Sequence, residues 1–286
     1  MLKKAATIPL RRHKGDFPHV FELSNEENPK KSEEVKVEVI AKRTKMTKPL
    51  AKILRIITDA RKSLHIAPLE GFKEVWHQNS SSCISSQPDQ QVEIYKKYWT
   101  DLGWIIHDSK EGLNVKTTAK YLHGIMDGIA SFHSSMYIHG DVKPDNVAVT
   151  ASGVVKIIDF ESVKGFDYEY SSSHCSSRYR MNFPGHIAEI DLWAIGCILF
   201  EMLTKVPLSS LEGNPVERGE AAIARLQRDF PDYSEDIGSL LSKLLFPGKL
   251  TDETAMNYLI SLLSQPFLSI RSGKSAKCLA GPGKVC

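Results

Sequence analysis

Fifteen residues, Ile190–Thr204, constrain this chain more than any other stretch. They are apolar on nearly every face, and the run Trp193–Phe200 is unbroken. A helix at a protein surface keeps a polar side, so one without it is buried all round and needs a large domain of further helices about it. The run is far short of the roughly 20 residues that cross a bilayer, and no apolar leader follows Met1. With 286 residues, at roughly 150 per domain, there is room for two domains or one two-lobed fold. Apolar residues make up 42% and charged residues 25%, which excludes disordered and collagen-like chains.

The rest of the chain divides by periodicity. His19–Leu23, Val35–Ala41, Phe72–Trp76 and Val92–Tyr95 read as strands, with the polar Asn25–Lys31 as a solvated hairpin and the Ser-rich Asn79–Ser86 as a loop. Between them, Leu50–Leu64 has a helical period after Pro49. Beyond residue 99 the pattern turns helical: Thr117–His133 sets Tyr121, Leu122, Ile125, Ile129 and Phe132 on one face, and Glu220–Gln227, Ile237–Leu245 and Thr254–Leu263 follow. The expected organisation is a strand-rich part over residues 1–98, a helical part over 99–270 and a Gly/Lys-rich tail over 271–286.

Net charge is +3, unevenly spread: residues 1–63 hold 16 Lys and Arg against 8 acids, the remainder 21 against 26. A basic first part suits an anionic ligand or an ordinary solvated surface. It has few aromatics, so nucleic-acid binding is not expected. The five cysteines, Cys83, Cys175, Cys197, Cys278 and Cys286, are odd in number with no C-x-x-C spacing. That argues against a disulfide framework or a zinc site and points to the cytoplasm or nucleus.

Chemistry concentrates in His139-Gly-Asp-Val-Lys-Pro-Asp-Asn146, with Asp159 thirteen residues later in Ile157-Ile-Asp-Phe-Glu161. A turn also favours Asp and Asn, but the second motif at this distance calls for more. Asp141 suits orienting or deprotonating an attacking hydroxyl, and Lys143 suits neutralising a phosphoryl group in transfer. Asn146 and Asp159 offer hard oxygens to Mg²⁺.

These segments resemble the catalytic loop (His-Arg-Asp-x-Lys-Pro-x-Asn) and magnesium loop (Asp-Phe-Gly) of eukaryotic-type protein kinases. Asp191-Leu-Trp-Ala-Ile-Gly196 is similar to the family's Asp-x-Trp-Ser-x-Gly, which opens the buried helix that anchors the catalytic loop. Leu244–Thr251 and Gln265–Leu268 resemble its terminal helical region, Thr117–His133 its long helix, and Asp101–Ile106 the short helix after its hinge. The resemblance implies an α+β fold with a small β-rich lobe and a larger helical lobe, and ATP and Mg²⁺ as cofactors. It makes Asp141 and Lys143 catalytic, with Asn146 and Asp159 toward the metal. Val39-Ile-Ala-Lys42 resembles the strand whose lysine holds the nucleotide's phosphates, giving Lys42 that role. Only Gly15, Phe17 and Val20 fit the glycine-rich loop over those phosphates; Pro18 replaces a glycine and removes a backbone N–H.

Four departures follow. Residues 43–69 contain no Glu to pair with Lys42, and Asp59 is the only acid there. Glu161 stands for the magnesium-loop glycine, and Gly140 for the arginine that meets an activation-loop phosphate, so Ser171–Ser173 lose that partner. The Ala-Pro-Glu position reads Met181-Asn-Phe183, and the arginine that its glutamate would pair with is missing near Lys249–Thr251. Losing both members costs less than stranding one buried charge. Ser176 keeps a hydroxyl where the family has a threonine beside the catalytic Asp and Lys.

Three functions compete: a Ser/Thr protein kinase with atypical regulation, a pseudokinase serving as a binding scaffold, and a small-molecule phosphotransferase. The last, of the aminoglycoside or choline kinase kind, shares His-Gly-Asp and Ile-Asp-Phe-Glu but not Lys143-Pro144 or Asp191–Gly196. The first is the expectation. It carries a protein substrate, an activating partner for the helix that lacks its glutamate, and no membrane span.

Overall fold

The computed structural model describes residues 10–12, 20–23, 39–44, 53–57, 63–69, 71–75, 90–96, 98–168 and 185–270. By the density of its internal packing the chain falls into a small unit, residues 1–52 and 67–98, and a large one, residues 53–66 and 99–286.

The small unit is built on five antiparallel strands: β1 (Leu10–Arg12), β2 (Val20–Leu23), β3 (Val39–Thr44), β4 (Gly71–Val75) and β5 (Gln90–Lys96), in the order β1-β2-β3-β5-β4. The register sets Lys42 of β3 opposite Val20 of β2 on one side and Glu93 of β5 on the other. Strands β2 to β5 overlap the runs read from the sequence, with β3 reaching through Lys42 to Thr44, whereas β1, Leu-Arg-Arg, holds no β-branched or aromatic residue.

The large unit is helical. Helix α1 occupies residues 53–57, with Leu54 and Ile57 buried. The helical period read over Leu50–Leu64 does not reach its end among the described residues. Leu64 lies in a turn, 74% exposed, and its carbonyl accepts from the Lys156 ammonium. Next come α2 (Leu102–Asp108), capped by Asp101, and α3 (Val115–His133), capped by Asn114. Helix α3 buries Leu122, Ile125, Ile129 and Phe132 of the face that its period predicts, and Met126 besides, while Tyr121 is only partly buried.

Helix α4 (Glu189–Thr204) is buried along nearly its whole length and packs against α3, α5 (Pro215–Asp229) and α6 (Ser234–Leu245). Helices α7 (Asp252–Leu262) and α8 (Pro266–Ser269) complete the unit against α3. Removing this much apolar surface from water is the main force holding the large unit together.

Short strands place the functional loops. β6 (Thr100–Asp101) pairs with β8 (Val147–Val149), which pairs with β9 (Val155–Ile157). This hairpin lies so close to α3 that a Cβ on Gly124 would collide with Val155, and one on Gly128 would sit 2.8 Å from Ile157. Only glycine allows that approach. A second pair, β7 (Tyr137–Ile138) with β10 (Lys164–Gly165), flanks the catalytic-loop sequence.

Candidate active site

The loop from His139 to Asn146 hangs from a single buried carboxylate. Asp191, in the first turn of α4 and fully buried, accepts from the backbone N–H of His139 (Oδ2, 2.9 Å) and of Gly140 (Oδ1, 3.0 Å). His133, the last residue of α3 and also fully buried, bonds to Oδ2 through Nε2 at 3.0 Å. Burial pushes the Asp191 carboxyl up. The His133 hydrogen bond, the positive charge of His133 and His139 when protonated, and the Gly140 N–H outweigh it and hold the carboxyl below its ordinary value. The loop is thereby fixed at its start by backbone groups, independent of its exposed side chains.

His139 carries the fixation further. Its Nδ1 accepts the Asp141 N–H at 3.3 Å, which assigns the proton to Nε2, and Nε2 then donates to the Ile158 carbonyl at 3.0 Å. The ring packs edge-on between Phe132 (5.6 Å) and Phe160 (6.0 Å). The two chemical segments, 139–146 and 157–161, are thus joined by one buried side chain.

Within the loop, three predicted residues meet on one oxygen. The Lys143 ammonium lies 2.5 Å from Asp141 Oδ2. Asn146 donates from Nδ2 to the same Oδ2 at 3.0 Å and to the Asp141 carbonyl at 2.8 Å. A tight turn over Pro144–Asn146, closed by Asn146 N–H to Lys143 O at 2.9 Å, produces this folding back. Both amide hydrogens of Asn146 point at Asp141, so its amide oxygen faces the other way. The next strand links to the magnesium-loop sequence: Ile158 N–H donates to the Asn146 carbonyl at 3.0 Å, with Asp159 the residue after it. A neutral amide oxygen and a carboxylate on linked neighbours are the hard donors that Mg²⁺ takes, so the residues fit that ion.

Asp159 has a left-handed backbone, φ +65°, a conformation that costs a non-glycine residue about 1–2 kcal/mol. Phe160, the next residue, is 1% exposed, with its ring 5.9 Å from that of Phe132. Gly140 is also left-handed, φ +80°, and a Cβ there would meet the Ser162 carbonyl oxygen at 2.6 Å. Beside the loop, burial raises the Asp101 carboxyl; the Trp104 N–H opposes this and the nearby Asp145 charge adds to it.

Asp141, Lys143 and Asn146 therefore form one hydrogen-bonded group in the large unit, and Asp159 follows Ile158, which the backbone joins to Asn146. Lys42 and Val20 face each other in strand register within the small unit. Gly15, Asp59, Ser171–Ser173, Ser176 and Met181–Phe183 lie outside the described residues. Motif reading missed His133, because a histidine that partners an aspartate 58 residues away leaves no spacing signal.

The sequence profile of the Protein kinase domain matches residues 15–256. The chain belongs to the protein kinase family. Its small sheet-built unit and larger helical unit are the two-lobed α+β fold of that family. It is 35% identical over 105 residues to Cyclin-dependent kinase-like 2 of Rattus norvegicus, covering 34% of this chain and 21% of that protein. It is 31% identical over 135 residues to Glycogen synthase kinase-3 homolog YGK3 of Saccharomyces cerevisiae, covering 44% and 36%. To the Probable serine/threonine-protein kinase KIN28 homolog of Encephalitozoon cuniculi it is 26% identical over 190 residues, covering 55% and 62%. These matches span less than two thirds of each relative's own length. Among the described residues no helix is long and apolar enough to cross a membrane.

Proposed function

We propose that this kinase domain transfers the γ-phosphoryl group of ATP to Ser or Thr hydroxyls of a protein substrate, under regulation unlike the family's usual arrangement. One observation carries the reading: Lys143 and Asn146 converge on a single oxygen of Asp141, and Asn146 is bonded through the backbone to the residue before Asp159. A chain kept only as a scaffold has no need for that convergence. A relative named as a probable serine/threonine-protein kinase supports the choice of acceptor.

When bound, Mg²⁺ neutralises charge on the phosphates. Asn146 through its amide oxygen and Asp159 through its carboxylate would hold it. Asp141 orients the substrate hydroxyl and accepts its proton at the carboxylate, whose direction Lys143 and Asn146 fix. Lys143 also offers positive charge beside the phosphoryl group in transfer. Lys42, with its register partner Val20 and with Gly15, would hold the nucleotide; residues 1–98 would then bind the nucleotide and residues 99–270 carry catalysis and the protein substrate, in an intracellular setting with an activating partner. Glu161 and the lack of Glu in residues 43–69 favour the pseudokinase as the second reading.

The test is transfer of labelled γ-phosphate from Mg-ATP to a generic basic protein by wild type, Asp141→Asn and Asp159→Asn. Label in wild type that falls by about 10³-fold in both variants establishes the kinase. Label absent from wild type with the basic protein, aminoglycosides and choline alike, while nucleotide is still bound, favours the scaffold.

A further inference from the structure

The sequence lacks both members of the glutamate–arginine pair expected between Met181–Phe183 and Lys249–Thr251. The described residues next to those positions hold another pair. His186 and Asp252 meet at 2.8 Å, Nε2 to Oδ1, with side chains 11% and 58% exposed. The other ring nitrogen, Nδ1, accepts the Ala188 N–H at 3.1 Å, so Nε2 carries the proton toward the carboxylate. The His186 N–H donates to Glu189 Oε1 at 2.9 Å. The ring also stands edge-on to Phe166, centroids 4.8 Å apart at 88°.

Phe166 is itself held. Its N–H donates to the Met136 carbonyl at 2.9 Å, and its ring lies 6.0 Å from that of His133. Phe166 precedes residues 167–185 and His186 follows them. One imidazole therefore joins the two ends of this segment and ties its far end to the first residue of α7. Acids face it from α7 (Asp252) and from α4 (Glu189).

We propose that His186 is a positioning residue that fixes both ends of the 167–185 segment, with Asp252 as its partner. The pair does with a histidine and an aspartate what the missing glutamate and arginine would have done. This rests on the kinase reading for what the segment serves, which is the placing of the substrate before Asp141.

The two ring nitrogens do separable work, and the test uses that. In the full chain, His186→Asn keeps an acceptor for the Ala188 N–H and cannot reach Asp252; His186→Gln reaches Asp252 and loses that acceptor. Hydrogen exchange of peptides covering 167–185 is measured beside the KM for a basic protein substrate and the KM for ATP. His186→Asn and Asp252→Ala each speed exchange about threefold and raise the protein KM about threefold, with the KM for ATP unchanged. The double variant is no worse than either single one, and His186→Gln lies nearer wild type. A residue that only holds the Ala188 N–H gives the reverse order, with His186→Asn like wild type and Asp252→Ala silent. That order overturns the proposal. Asp252 is exposed at a helix end, so its variant folds in any case. If no form transfers phosphate, exchange alone decides: protection lost in His186→Asn and Asp252→Ala sustains the positioning role while the kinase reading fails.

Discussion

Two histidine–aspartate pairs flank the start of α4, and they differ chiefly in water. His133–Asp191 spans 3.0 Å with both side chains fully buried; His186–Asp252 spans 2.8 Å with the aspartate more than half exposed. Geometry alone would rank them alike. Burial separates them, because a charge without solvent depends wholly on its protein partners, whereas water replaces most of what an exposed one loses. The buried pair also accepts two backbone N–H groups and so carries the catalytic loop. The exposed pair joins side chains of two segments and is suited to positioning.

The largest expected effect follows from that contrast. Asp191→Ala strands His133 and two buried N–H groups, and costs about 3–5 kcal/mol in urea unfolding. Acidity sharpens the point. The folded chain holds the Asp191 proton less tightly than the unfolded chain, so the stability it contributes is complete above the ordinary carboxylate range and is lost as pH falls through that range to the depressed value. Asp191→Asn lacks that acid-side loss. An Asp191→Ala variant that unfolds at the wild-type urea midpoint breaks the comparison.

A second, smaller effect concerns Gly140, one of the two groups that Asp191 binds. Its backbone is left-handed, and a methyl group added there would lie 2.6 Å from the Ser162 carbonyl oxygen. Ser162 directly follows Glu161, so this contact ties the His-Gly-Asp departure to the Asp-Phe-Glu one. Gly140→Ala loses about 1–2 kcal/mol from backbone conformation alone, read as a lower melting temperature, and phosphate transfer falls with it. Gly140→Arg, which restores the family's residue, does no better. A more active Gly140→Arg would show the two departures to be independent.

How much of this was legible depends on distance along the chain. The candidate catalytic group lies within residues 139–159, so spacing displayed it; α3 has an apolar period and α4 an unbroken apolar run that expose them. Helix α5 begins at Pro215, five residues before its apolar period, because its first turn is not buried; the capping box of Asn214 with Glu217 was the signal there. The two-residue strands β6, β7 and β10 carry no periodicity to read. The pairs His133–Asp191 and His186–Asp252 join residues 58 and 66 apart. Packing alone creates them, and no single-chain pattern encodes a partner that distant.

The smallest expected effect sets the other limit of the comparison. Asp252 is the first residue of α7, whose capping box is made by Thr251 and Thr254 and survives its loss. Asp252→Ala removes one half-solvated hydrogen bond and one acid from a helix N-terminus, together worth less than about 1 kcal/mol. Urea unfolding should therefore barely register the variant that hydrogen exchange of 167–185 registers clearly. That dissociation is what a positioning pair requires, because it restrains a segment without holding up the core. A cost near that of Asp191→Ala would place His186–Asp252 in the framework instead, and burial would no longer be what divides the two pairs.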